Sequence, residues 1–528
     1  MNRRTLLAAG TGYAAAAAWA VGWGSGQVRA MSSGGPAPAT PGSASAAAGS
    51  RAVAPRAADW SALDRGLQGG LIRPGDADYA TARQLYNTRF DGLRPAAVAY
   101  VAHSADIAEC LAFARRHGTP VAIRNGGHSY AGWSSGNGRL VVDVSALKSI
   151  RTGSGSAVIG AGAKLIDVYT QLGARGVTIP GGSCPTVGIS GLTLGGGHGV
   201  VSRAYGLTSD NLTGARIVTA DGRTLDVSKD READLFWALR GAGNGNFGVV
   251  TELRFRTHRA ADGVTAYMTW PWSKAAAVLR SWQEWGPAQP DEIWSALHLS
   301  AAGRTPTVSV SCFSLGTYGD LQNAVDRLAD RAGGPGPASR ITMRRRGYLD
   351  TMRMYAGCAT KSTTQCHLPG TTPGRQPTGV LQRETYAARS DFFNRSLSTA
   401  GIRSLLDQVE RYGRSSSGGG VSVALTALGG AVNRVSPQAT AFVHRNSRFL
   451  AQYTASWHAG HSAGAATAWL DGTHAAMRRY ASGAAYQNYT DASLSNWRSA
   501  YYGSAAPRLA ELKRRYDPGR VFEFPQAL

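Results

Sequence analysis

The sequence predicts an α+β fold in two lobes, and three observations carry that prediction. From Ala96 onward, short apolar runs alternate with amphipathic stretches at helical spacing, separated by glycine turns. Around Thr265 the pattern shifts to longer alternating runs and longer helices. This predicts a second, mixed domain of strands and helices. The 67 glycines among 528 residues have no fixed period, which excludes a collagen-like fibre. Many cluster between apolar runs, where they let the backbone come close to a ligand.

Taken in order, residues 1–30 read as a targeting segment. Arg3-Arg4 precede Thr5-Leu6-Leu7 and an Ala-rich apolar run to Val21, a pattern similar to a twin-arginine export signal. An ordinary secretory signal that carries two arginines is the alternative. The run is modest and broken by glycines, which argues against a stable membrane span. A secreted, extracytoplasmic location is therefore expected. Residues 31–56 are Ser, Gly, Ala and Pro with almost no large side chain, the composition of a disordered linker. The fold is expected to start near Trp60.

Val98 and Val101 belong to a short apolar run. Ser104 is a candidate N-cap, Ile107, Leu111 and Ala114 recur at helical spacing, and His117-Gly118 ends the helix. Val121-Ala122-Ile123 is a short buried strand, and Leu140 to Val144 is another. Leu165, Val168 and Leu172 mark a helix that stops at Gly173 to Gly176. Asp221-Gly222 reads as a hairpin turn between Ile217-Val218 and Leu225-Val227. In the second domain, Thr307 to Cys312 and Val421 to Leu425 alternate, while Asp320 to Arg331 and Thr399 to Arg411 are helical. Pro507 to Tyr516 is an amphipathic closing helix, stopped by Asp517-Pro518-Gly519.

The net charge of +23 comes from basic residues spread along the whole chain, only six of them lysines. No basic helix or arm interleaved with aromatics appears, so a nucleic-acid partner is not expected and a solvated basic surface is. Five cysteines without a CxxC pair make neither a disulfide scaffold nor a structural zinc site, and no metal is expected. Cys358 and Cys366 lie in a Gly/Thr/Ser-rich loop where an oxidising compartment would let them pair; two unpaired thiols are the alternative.

Four constellations carry chemistry. The strand at 121–123 runs into Arg124-Asn125-Gly126-Gly127-His128-Ser129, where glycines after a strand present N–H groups to a diphosphate. Pro180 to Gly188 holds Cys184 between Ser183 and Pro185, and the loop continues through Gly191 to Gly195-Gly196-Gly197-His198-Gly199. It lacks the Gly-Lys-Ser/Thr ending of a P-loop and the strand and acidic residue of a Rossmann fingerprint. Asp234 to Gly243 and Asn246 to Val250 follow. Tyr486-Gln487-Asn488-Tyr489 lies near the C-terminus.

In this order the four motifs resemble the covalent flavin oxidases of the berberine bridge enzyme family, within the vanillyl-alcohol-oxidase (PCMH-type) flavoprotein fold. The resemblance covers residues 121–255 and 484–528. It implies bicovalent FAD, with His128 on the flavin 8α-methyl and Cys184 at flavin C6. It places Arg124, Asn125, Gly126, Gly127 and Ser129 along the diphosphate, and Gly188, Gly191, Gly248, Val249 and Val250 along the rest of the cofactor, with Asn488 near the flavin. Val187 matches the small gatekeeper of members that react with oxygen; leucine there would favour a dehydrogenase. Arg520 stands where the family usually has asparagine. The resemblance also implies a discontinuous flavin domain, residues 57–264 and 481–528, around a substrate domain at 265–480 built as an antiparallel sheet covered by helices.

The implied reaction is oxidation of an alcohol or sugar hemiacetal, with O2 as acceptor and H2O2 released. Tyr486 is the candidate base and Tyr489 the alternate; either needs a lowered pKa to work near neutrality. Tyr130 and Trp133 are expected to border the site. His198, His444 and Trp457 are candidate substrate-side groups, though such residues are more often structural. Trp270, Trp272, Trp282, Trp285 and Trp294 offer sugar-stacking faces or, more commonly, a core. A tailoring oxidase for a glycosylated antibiotic, a flavin dehydrogenase and a non-catalytic exported binding protein are the competing readings. The oligomeric state is left open.

Overall fold

The computed structural model describes residues 54–302, 305–415 and 419–528. The signal segment and nearly all of the linker expected from the sequence lie outside these residues. The first described helix is Ala57–Gly66, with Trp60 and Leu63 buried.

Three larger sheets organise the chain. The first has four strands in the order Gly70–Ile72, Ala97–Tyr100, Leu140–Asp143, Val121–Arg124. Its last three run parallel, joined through the helix Ser104–His117. Gly118 takes the left-handed conformation (φ 61°) that ends this helix. Its N-cap is His103, not Ser104. The His103 imidazole accepts from the Asp106 N–H, and Ser104 becomes the first helical residue.

The second sheet has five antiparallel strands, from Ile150–Gly153 to Thr224–Ser228. The Asp221-Gly222 turn joins its last two strands as expected, and Gly222 sits at φ 90°, where a side chain would be strained. Both sheets belong to one apolar core. Leu509, Leu512 and Tyr516 of the helix Ala506–Tyr516 pack into the same core.

The third sheet has seven antiparallel strands, ordered Arg340–Arg346, Gly263–Trp270, Thr307–Ser314, Ile293–Ala301, Gly419–Ala427, Phe449–Trp457, Tyr386–Phe393. The helices Ala275–Trp285, Tyr318–Ala329, Thr399–Ser415 and Gly464–Arg478 pack against it. Side chains alternate across a strand, so one sequence feeds two faces. Val421, Val423 and Leu425, like Ala451, Tyr453 and Ala455, pack in the core under the helices. The intervening Ser422, Ala424, Gln452, Thr454 and Ser456 line a cavity on the opposite face. That polar face is what turns a structural sheet into the wall of a site.

Cys358 and Cys366 form a disulfide, with both residues fully buried beside Ile166. Among the described residues no helix is long and apolar enough to cross a membrane, and no group of metal-binding side chains occurs.

Candidate functional site

A cavity of about 930 Å³ lies between the glycine loops of the first core and the polar face of the seven-stranded sheet. The strand Val121–Arg124 delivers its first loop. Gly126 must be glycine, because a Cβ there would come within 2.5 Å of the Thr186 carbonyl and 2.6 Å of the Gly188 nitrogen. Gly127 adopts φ 68°. The N–H groups of Gly126, Gly127, His128 and Ser129 take no acceptor among the described residues. A row of unused donors beside a cavity suits an anion such as a diphosphate.

Arg124 lines the cavity, with its buried guanidinium paired to Asp143 at 2.5 Å and its Nη1 without a partner among the described residues. Asn125 also lines the cavity, and its amide donates to the Ala161 carbonyl and to Ser190 Oγ. Its Oδ1 accepts from Lys164 at 2.6 Å. Lys164 is buried and also donates to Ser145 Oγ (3.0 Å). Burial lowers its pKa to about 8. No motif marks Lys164 in the sequence, since a lone lysine before a helix carries no spacing signal.

His128 and Cys184 both line the cavity. His128 Nε2 lies 2.8 Å from Thr186 Oγ1, and its ring stacks on Tyr86 at 4.0 Å. Burial and the Lys164 charge push its pKa down to about 3, so the imidazole is neutral. Cys184 is exposed, but into the cavity, with protein surrounding it. That enclosure and the Glu384 charge push its thiol up to about 11. Val187, Gly188, Gly191, Gly248 and Val250 also line the cavity. Val249 does not; it is fully buried in the strand Val249–Arg256 and points into the core.

The two tyrosines of the C-terminal motif occupy different settings. Tyr486 is 2% exposed, and its hydroxyl accepts from the Gly197 N–H and from Asn488 Nδ2, both at 2.8 Å. Burial outweighs these two bonds and pushes it up to about 12. Asn488 also donates to the Leu192 carbonyl (2.9 Å) and accepts from Asn244 (2.7 Å), so it ties the motif to the glycine loop. Tyr489 is half-buried, with its hydroxyl 2.9 Å from His198 Nε2. Its ring lies 5.3 Å from that of Tyr130. Burial raises its pKa well above the ordinary value, with Tyr130, Tyr486 and Cys184 adding to the effect. His198 is pushed down to about 4 by burial, so it faces Tyr489 as a neutral ring.

Tyr130 and Trp133 line the cavity, and Gln452 donates to the Tyr130 hydroxyl at 2.8 Å. Trp457 lines it too. His444 does not: it stacks on Phe392 and bonds to the Tyr501 carbonyl, a structural role. The tryptophan cluster is mostly core. Trp270, Trp282 and Trp285 are buried under the helices with Trp272 packed beside them, and only Trp294 reaches the cavity. Sequence reasoning missed Asn244, Tyr86 and Glu384, which all line the cavity without belonging to a spaced motif.

The residues present fit FAD. A loop of free N–H donors, two nucleophiles opening on the same space, and a polar sheet wall match a dinucleotide with a flat ring.

Comparison with known proteins agrees. Residues 95–228 match the FAD binding domain family, and residues 485–528 match the berberine and berberine-like family. An uncharacterised FAD-linked oxidoreductase of Bacillus subtilis is 31% identical over 468 residues, covering 88% of this chain and 97% of the relative. A chitooligosaccharide oxidase of Gibberella zeae is 30% identical over 471 residues, covering 84% of this chain and 89% of the relative. The solved BBE-like 1 protein of Physcomitrella patens superposes with a TM-score of 0.79 at 31% identity, over 89% of this chain and 98% of that one.

Proposed function

This chain belongs to the berberine bridge enzyme-like family of FAD-linked oxidoreductases, and from that premise we propose that it is an exported oxidase of an alcohol or sugar hemiacetal. The observation that carries this reading is that His128, Cys184 and Tyr489, from three separate segments, open onto one cavity with a polar wall. Held there through His128 and Cys184, FAD would supply the two-electron acceptor and, with oxygen as the final oxidant, yield hydrogen peroxide. Val187, small and three residues past Cys184, lines the cavity and supports the oxidase reading.

The protein's part is to place the hydroxyl and take its proton. Tyr489 replaces Tyr486 as the leading base. Both tyrosines line the cavity, but the Tyr486 oxygen already serves two donors and its ring is buried among Phe392 and Phe442, while Tyr489 is the more exposed of the two. The neutral His198 ring, hydrogen-bonded to the Tyr489 hydroxyl, orients it. Tyr130, braced by Gln452, and the row Ser422, Thr454 and Ser456 offer hydroxyls to a polyhydroxylated ligand. The kinship with a chitooligosaccharide oxidase supports a carbohydrate substrate. Peroxide release measured across neutral, amino and N-acetyl sugars and glycosylated aromatics tests the reading and separates a sugar oxidase from a tailoring oxidase. Substrate-driven flavin reduction without oxygen uptake would indicate a dehydrogenase instead.

A further inference from the structure

Two carboxylates line the cavity, Glu384 and Glu523. Glu523 is neutralised by Arg520 at 2.7 Å. Glu384 has no cationic side chain within salt-bridge distance among the described residues, although basic residues outnumber acidic ones by 23 in the chain. Three basic side chains line the cavity, and none lies within salt-bridge distance of Glu384. Arg383 pairs with Asp91, Arg124 pairs with Asp143, and Lys361 donates to the Gly357 carbonyl.

Glu384 is also held in place. Its carbonyl accepts from the Thr88 N–H at 2.9 Å and its backbone bridges to Asn87, which sets it beside the segment that carries Tyr86. Tyr86 is itself fixed: its N–H donates to the Gly127 carbonyl at 3.0 Å and its ring stacks on His128. The carboxylate lines the same cavity as His128 and Cys184, and its charge adds to the burial that raises the Cys184 thiol. A carboxylate can accept several hydrogen bonds, and a half-buried anion without a counter-charge is costly unless a ligand supplies one.

We propose that Glu384, anchored through its backbone to Asn87 and Thr88 at the cavity wall, is a cation-binding subsite and that the substrate carries an ammonium group next to its reacting hydroxyl, as an amino sugar does. This rests on the sugar-oxidase reading and names its substrate class. An ammonium there would gain a charge-assisted bond to Glu384. Neutral and N-acetylated sugars would leave the carboxylate unpaired, and acidic sugars would be repelled.

The test compares kcat/KM for a glucosamine trisaccharide and an N-acetylglucosamine trisaccharide in the holoenzyme and in Glu384→Gln. The expected wild-type ratio favours the amino sugar by about tenfold or more. In Glu384→Gln the ratio falls to near one, mainly through KM, with the flavin content unchanged. A wild-type ratio at or below one overturns the subsite whether or not the variant folds. A high ratio that survives in Glu384→Gln overturns the assignment to that residue. Calorimetric titration with the glucosamine trisaccharide separates the two layers. Binding that Glu384→Gln abolishes, with no turnover of either sugar, keeps the subsite and defeats the oxidase reading. Absence of binding in the wild type defeats the subsite.

Discussion

The Tyr489 hydroxyl lies 2.9 Å from His198 Nε2 across two segments nearly 300 residues apart, and this pair faces the cavity. Tyr489→Phe is expected to lower kcat by about 10²–10⁴, the usual worth of a positioned base, with flavin content retained. Because burial raises the tyrosine's pKa, kcat/KM should climb with pH into the alkaline range, and the variant should lack that limb. Steady-state assays across pH would check both. A variant with an unchanged profile would remove Tyr489 from the chemistry.

Tyr486→Phe should behave differently. It leaves the Gly197 N–H and one Asn488 donor without their acceptor, at a cost of about 1–3 kcal/mol each when buried. The expected result is a lower Tm and a modest fall in rate. A loss in kcat as large as that of Tyr489→Phe would restore Tyr486 as the base.

The fold was largely written in local pattern. The helix ending at Gly118 and the Asp221-Gly222 hairpin follow from rules that act within a few residues, and both stand where expected. Ser104 shows the limit, since a histidine one position earlier outcompeted a good capping residue. In the site, the glycine-rich motifs were legible because close approach demands glycine at fixed spacing. Lys164, Asn244 and Glu384 were not, because each is a single polar residue whose meaning comes from what the fold sets opposite it. The two tyrosines of one tetrapeptide could be ranked only once their burial was known.

Lys164→Met should strip Asn125 and Ser145 of a buried partner beneath the loop that holds His128. A stability loss of about 1–3 kcal/mol and reduced flavin content on purification are expected. Thermal unfolding and the flavin-to-protein absorbance ratio measure them. Full occupancy and unchanged Tm would make the lysine incidental.

Buried neutral histidines set an acid limit. His128 and His444 are held down to about 3 and His198 to about 4, below the unfolded value of about 6.5. Between those values the unfolded chain binds more protons than the native one. The histidine contribution is therefore fully present above about pH 6.5 and is lost as pH falls toward their folded values, by roughly 1.4 kcal/mol per pH unit for each group. His444→Gln should flatten the fall of Tm with pH from 6 to 4; an equally steep fall would assign the acid sensitivity elsewhere.

The Cys358–Cys366 disulfide closes a short loop beside Ile166. By loop-closure entropy its reduction should cost about 2–3 kcal/mol. Comparing Tm with and without reductant, and in Cys358→Ser, would show it. No shift would mean the bridge is dispensable.

Cys184→Ala should leave a yellow protein whose flavin stays attached through His128, with the spectrum altered. Complete loss of covalent flavin in that variant would contradict attachment at two points.

The most direct test of the account is the visible absorbance of the full-length protein after acid precipitation and washing. Flavin absorbance that stays with the pellet is the predicted result, because His128 and Cys184 open onto the same cavity. Flavin that washes entirely into the supernatant would contradict the covalent assignment of both residues.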